Sequence, residues 1–247
     1  MNTRVVTLSV LSIVAVNGAL VASAKPSPKQ TKAQKDAVVT AAVVKGRLVA
    51  RGYKAPPDPD PPRPRYYWEL ENGFKEATPD RISPDRELAV VLLSDGAAKE
   101  ESNVEVAFSG GSLMPSTIVV RPNTTLQIRN QDEIGHELYA TDLPVFSAEA
   151  ISPRGVRTVR LTATGKWPLR DRLVAHVRGY LYVIADLAAV AKVSTDGEFV
   201  FSQIAPGKYR LKVFYGPHEL VERAVQIDAQ EQVALDPVPL AGPAKAN

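Results

Sequence analysis

The chain has 247 residues, carries 30 Lys and Arg against 27 Asp and Glu for a formal net charge of +3, and contains no cysteine. So mild a balance does not call for nucleic acid as the expected partner, and the missing thiols exclude disulfides, thiolate metal sites, a lipid-modified cysteine and a cysteine nucleophile. With 20 prolines and 15 glycines the chain is expected to turn often, and its length suits one large or two small domains with ordinary apolar cores.

The N-terminal stretch reads as an export signal over residues 1–24. Arg4 supplies the positive start, Val5 to Val21 an apolar run, and Ala22-Ser23-Ala24 a small-x-small cleavage site. The expected location is therefore periplasmic or secreted. No later stretch is long and apolar enough for a membrane-spanning helix. Residues 25–37, rich in Lys, Gln, Pro and Ala, have almost nothing to bury and read as a disordered basic linker. Val38 to Ala50 reads as strand, with Gly46 marking a bulge or a close backbone approach. Residues 55–65, dominated by proline, read as a stiff extended surface loop, followed by the aromatic cluster Tyr66-Tyr67-Trp68.

From Leu88 onward the chain is a succession of short apolar runs. Leu88 to Leu93, Val104 to Phe108, Thr117 to Val120, Thr125 to Ile128, Leu138 to Ala140, Val156 to Leu161 and Leu173 to Val177 are the first candidate strands. Tyr180 to Ile184, Ala188 to Val193, Glu198 to Phe201, Tyr209 to Phe214, Val221 to Ile227 and Gln232 to Leu235 complete them. Gly, Pro, Asn or Asp separates most of the runs and no helical period is sustained, so the predicted fold class is all-β, built as β-sandwiches.

One block reads Leu113-Met114-Pro115-Ser116-Thr117-Ile118-Val119-Val120-Arg121-Pro122-Asn123-Thr124-Thr125-Leu126-Gln127-Ile128-Arg129-Asn130-Gln131-Asp132, then Gly135-His136-Glu137-Leu138. Pro122-Asn123 suits a hairpin turn, Leu126 and Ile128 alternate inward, and Asn130 and Asp132 can bond their own backbone where the strand ends. The block resembles the cupredoxin family, in which the histidine after Asn-x-Asp binds copper. The resemblance implies further ligands in a loop before the last strand, matched here by Arg172 to Val183, which holds His176 and neither cysteine nor methionine. A blue-copper site needs a thiolate, so this chain cannot make one. His136 and His176, with a carboxylate such as Glu137, remain candidates for copper or zinc without thiolate.

A second block, Ser194-Thr195-Asp196-Gly197-Glu198-Phe199-Val200-Phe201 through Pro206-Gly207 to Tyr209-Arg210-Leu211-Lys212-Val213, combines two turns with alternation. It resembles the carboxypeptidase regulatory-like domain, a transthyretin-like sandwich with a carbohydrate-binding-like fold. That resemblance implies a stability, adhesion or carbohydrate-binding role. Val43 to Val49 and Glu87 to Leu93 match the family's opening strands, so residues 38–95 and 186–240 are expected to form one split sandwich, with the cupredoxin-like one at 96–185 between them.

No nucleophile elbow, phosphate loop, dinucleotide fingerprint or zinc-protease helix is present, and no catalytic role is expected. The cations Arg154, Arg157, Arg160, Lys166, Arg170, Arg172 and Arg178 are interrupted by one acid, Asp171. Such a band suits an anionic polysaccharide or another anionic envelope component; a protein partner is also compatible. The expectation is thus an exported, non-catalytic binding or scaffold protein of the cell envelope, without a cofactor. The alternative is a periplasmic protein for copper handling or electron transfer using His136 and His176.

Overall fold

The computed structural model describes residues 41–49, 53, 82–96 and 102–240. The export signal, the basic linker, the proline-rich loop and the aromatic cluster of the sequence reading lie outside the described residues. Within them the chain forms seventeen strands: β1 (Ala42–Val49), β2 (Leu88–Leu93), β3 (Asn103–Ser109), β4 (Ser112–Met114), β5 (Thr117–Val120), β6 (Thr124–Asn130), β7 (Leu138–Ala140), β8 (Val156–Leu161), β9 (Gly165–Asp171), β10 (Arg178–Val183), β11 (Leu187–Val190), β12 (Lys192–Val193), β13 (Glu198–Ile204), β14 (Gly207–Tyr215), β15 (His218–Ile227), β16 (Gln232–Ala234) and β17 (Val238–Pro239). One short helix, α1 (Pro84–Glu87), precedes β2. Among the described residues no helix is long and apolar enough to cross a membrane.

The strands make four sheets. Their orders are β12-β13-β1-β16, with β17 also on β1; β11-β2-β14-β15; β5-β10-β9-β7; and β4-β3-β6-β8. The first two enclose a core of Val44, Leu48, Val90, Leu92, Phe199, Phe201, Leu211 and Val213. The last two enclose another, with Phe108, Leu126, Ile128, Leu138, Leu169 and Leu181. A third, smaller core of Ala89, Val91, Leu93, Val119, Tyr180, Tyr182 and Phe214 lies between the sheet containing β2 and the sheet containing β10. The architecture is therefore all-β: two sandwiches laid against each other, four sheets deep.

This stacking explains why β2 is apolar at every position rather than at alternate ones. Leu88, Val90 and Leu92 face the first core. Ala89, Val91 and Leu93 face the seam between the sandwiches, so both faces of the strand are covered. In β6, by contrast, Thr124, Leu126, Ile128 and Asn130 are buried and the residues between them are not. β2 pairs antiparallel with β14, Leu92 opposite Leu211. Gly46 stands opposite Phe199 across the β1–β13 pair, and a Cβ there would lie 2.3 Å from the ring's Cζ. Asp196-Gly197 closes the β12–β13 hairpin, Gly197 taking a φ of 78°.

The expected strand Ala188 to Val193 is divided between β11 and β12, which join different sheets, and two further departures from expectation have a clear cause. Leu173 to Val177 is not a strand, because the Asp171 side chain takes the N–H groups of Leu173 and Val174, each at 2.8 Å, before a ladder can. The strand forms earlier, as β9, across Trp167-Pro168. Pro168 pairs with Tyr180 on β10, while on the other side β7 reaches only Leu169, so the missing N–H of the proline faces no ladder. The other difference is at Pro122-Asn123. Asn123 takes the left-handed backbone a turn requires, with a φ of 66°. Yet β5 and β6 belong to different sheets, so the turn is a crossing between layers and not a hairpin.

Candidate functional site

At the end of β6 the chain turns on Asn130, whose amide Oδ1 accepts the Asp132 N–H at 2.9 Å while Nδ2 donates to the carbonyls of Ile134, Ile151 and Ser152. The turn brings Asp132 beneath Gly110 and Gly111, whose N–H groups donate to its two oxygens at 2.7 and 3.0 Å. His136 follows, wholly buried. It is stacked on Phe108 with ring centroids 3.9 Å apart and held by backbone bonds to Ile151 in both directions.

Each ring nitrogen of His136 meets a carboxylate: Nδ1 is 2.9 Å from Asp171 Oδ2, and Nε2 is 3.2 Å from Asp132 Oδ2. Asp171 also accepts the N–H of Glu137, Leu173 and Val174. The imidazole thus bridges the two carboxylates, one at each ring nitrogen. Burial alone would raise the Asp132 carboxyl, but the Gly111 and Gly110 N–H groups and the His136 bond outweigh it and hold the group below its ordinary range.

The copper ligands that the cupredoxin resemblance implies do not fit this arrangement. There is no cysteine in the chain, and both nitrogens of His136 are engaged. His176 is exposed, and its Nε2 lies 3.2 Å from where a Cβ on Gly111 would project. The carboxylates beside His136 are Asp132 and Asp171, not Glu137, whose side chain faces Arg172 at 3.7 Å. Among the described residues no group of three or more His, Cys, Asp or Glu side chains is disposed to hold a metal ion.

The arginine band does not form one face. Arg157 points inward between the exposed residues of β8 and is buried. It donates to the carbonyls of Leu138 and Ser147, lies over the Phe146 ring and pairs with Glu149. Burial pushes its guanidinium down, against the opposing pull of Glu149. It ties the loop after β7 to the sandwich and cannot meet a ligand. Arg154 pairs with Glu133, and Arg160 projects from the outer face of β8. Arg170 and Arg178 are cross-strand neighbours on β9 and β10, and Arg170 lies over the Tyr180 ring.

Arg178 leads to a feature not evident from the sequence, a cavity of about 400 Å³ at the junction of the two sandwiches. The first sandwich contributes Ser83, Arg86 and Glu87 around α1 and Tyr215 to His218 from the β14–β15 turn; the second contributes Ser112 to Met114, Ser116 and His176 to Tyr180. Its rear wall is knitted by backbone and hydroxyl bonds. Ser116 N–H donates to the Arg86 carbonyl at 2.8 Å, the Thr117 hydroxyl to the Glu87 carbonyl at 2.6 Å, and Gly216 N–H to the Thr117 hydroxyl at 2.9 Å. Burial pushes the Glu87 carboxyl up, opposed by the Ser83 N–H and reinforced by Asp85.

No family model matches the chain, and no curated protein matches it. Solved structures do. The reduced Cu(I) form of a P52G mutant of amicyanin is 15% identical, with a TM-score of 0.30, over 37% of this chain and 86% of that one. Amicyanin from Paracoccus versutus is 13% identical, with a TM-score of 0.30, over 37% of this chain and 85% of that one. A purple cupredoxin from Nitrosopumilus maritimus is 13% identical, with a TM-score of 0.29, over 33% of this chain and 99% of that one.

Proposed function

We propose that this chain is an exported, non-catalytic binding protein of the cell envelope whose ligand sits in the cleft between its two sandwiches. The observation that carries this reading is the cavity itself. It is walled by both sandwiches, floored by bonded backbone, and of a size usual for small-ligand sites. The second sequence block supports the same reading, since the regulatory-like domains it resembles serve in adhesion and carbohydrate binding. The histidine of the first block serves structure, because Asp132 and Asp171 occupy both its nitrogens.

The test is capture of envelope polysaccharide by the immobilised full chain, compared with Ser112→Trp. Ser112 is an exposed residue of the cavity lining, so an indole there fills the mouth without entering either core. The expected result is retention by the parent and its loss in the variant, with unchanged circular dichroism. Equal retention by both proteins overturns the cleft reading. A metal-handling role would require His136 to release a carboxylate, so copper or zinc titration is expected to give no stoichiometric site that His136→Gln removes.

A further inference from the structure

We infer that the cleft receives a non-acidic sugar through a hydrogen-bond donor, a hydroxyl or an ammonium group, and that Glu87 Oε1 accepts that donor. This inference rests on the cleft being the ligand site. Glu87 lines the cavity and is half-buried. Its Oε2 accepts the Ser83 N–H at 2.6 Å, whereas Oε1 has no hydrogen-bond partner among the described residues. A carboxylate withdrawn from water is stabilised by each donor it gains. Here burial outweighs the one backbone N–H and leaves the group above its ordinary range, so a donor brought by a ligand would meet an acceptor that is short of partners.

Ser83 supplies a second group of this kind. It stands at the N-terminal cap of α1, where a serine hydroxyl usually bonds the first free N–H groups of the helix. Its side chain makes no such bond, and the residue belongs to the cavity lining. From the other sandwich the exposed Ser112 adds a hydroxyl, and the half-buried Met114 and Pro217 add apolar surface on opposite sides. An acceptor, two hydroxyls able to give or take a bond, and apolar walls suit a ring with hydroxyls at its rim and C–H groups on its faces. The arginines of the lining do not call for an acid, since Arg86 is exposed and pairs with Asp85 at 4.0 Å, and Arg178 is engaged. An acidic group brought to Glu87 would set two negative charges side by side in a partly desolvated space.

The experiment is calorimetric titration of the full chain, at neutral pH and fixed ionic strength, with glucose, glucosamine and glucuronate. Glucose or glucosamine is expected to bind about tenfold more tightly than glucuronate, and which of the two prevails separates a hydroxyl donor from an ammonium. That affinity is expected to fall about tenfold in Glu87→Gln and about fivefold in Ser83→Ala. The Ser83→Ala change should leave the thermal midpoint where it is, because the hydroxyl it removes caps nothing. Glucuronate binding as tightly as the other two, binding untouched by Glu87→Gln, or no heat with any of the three sugars overturns the assignment. Because the Ser112→Trp capture assay is read independently, loss of capture together with any of those outcomes would sink the ligand class and leave the cleft reading standing. Unchanged capture would sink the cleft reading itself.

Discussion

His136 joins the two buried or half-buried carboxylates of the second sandwich, Asp171 and Asp132, and replacing either of them tests the cluster. Substituting Asp171 by Ala leaves a buried imidazole and three backbone N–H groups without their acceptor. A buried donor left without its acceptor costs about 1–3 kcal/mol, so Asp171→Ala should lower stability by about 3 kcal/mol in urea unfolding; a loss under about 1 kcal/mol would contradict a structural role. Asp132 gives a pH-dependent counterpart. The folded state holds its carboxyl below the ordinary range, so the unfolded chain takes up the proton first on acidification. The stability Asp132 contributes is complete above the unfolded pKa and is lost as pH falls through the folded one. Replacing Asp132 by Asn should therefore shrink the difference between urea midpoints at pH 7 and pH 3. The sequence shows Asn130, Asp132 and His136 as a group, because their spacing is local. It shows Asp171 only as the lone acid in a basic stretch, because its meeting with His136 spans 35 residues and depends on how β9 registers against β7.

At the scale of elements, alternation and turn chemistry made most strands legible, and the exceptions depend on pairing between distant segments. β9 is hidden by Pro168, which reads as a breaker until the short reach of β7 is known. The Pro122-Asn123 turn is visible, but which sheet the next strand joins is decided by non-local pairing: β6 lies parallel to β3 and antiparallel to β8. Gly46 is the reverse case, a residue whose need for close approach is readable and whose partner, Phe199, is not. Gly46→Ala should force the Phe199 ring out of place and cost about 1–3 kcal/mol. The double variant with Phe199→Leu should recover part of that loss. Additive losses in thermal unfolding would show that the two positions do not communicate.

At the scale of the molecule, the seam of Val91, Leu93, Tyr182 and Phe214 joins the sandwiches through apolar surface. Arg121 of the second sandwich also donates to the carbonyls of Leu187 and Ala188 in the first. β2 belongs to two cores at once, so calorimetry should record one cooperative transition, and Val91→Ala should lower it without splitting it; two resolved transitions would mean that the seam does not couple them. The basic band fails as a single surface for a reason that belongs to this scale: Arg157 and Arg160 lie on β8, and Arg170 and Arg178 on the β9–β10 pair, which is in a different sheet. The path of the chain carries a last consequence. Where it leaves the first sandwich and where it returns, Leu93 stands opposite Leu187 and the Ser94 N–H reaches the Asp186 carbonyl at 2.8 Å. In topological terms β2 and β11 are the two arms of one hairpin, and a whole domain takes the place of its turn. The cleft is lined from both sides of this connection, so it is a property of neither sandwich alone and arises from their junction.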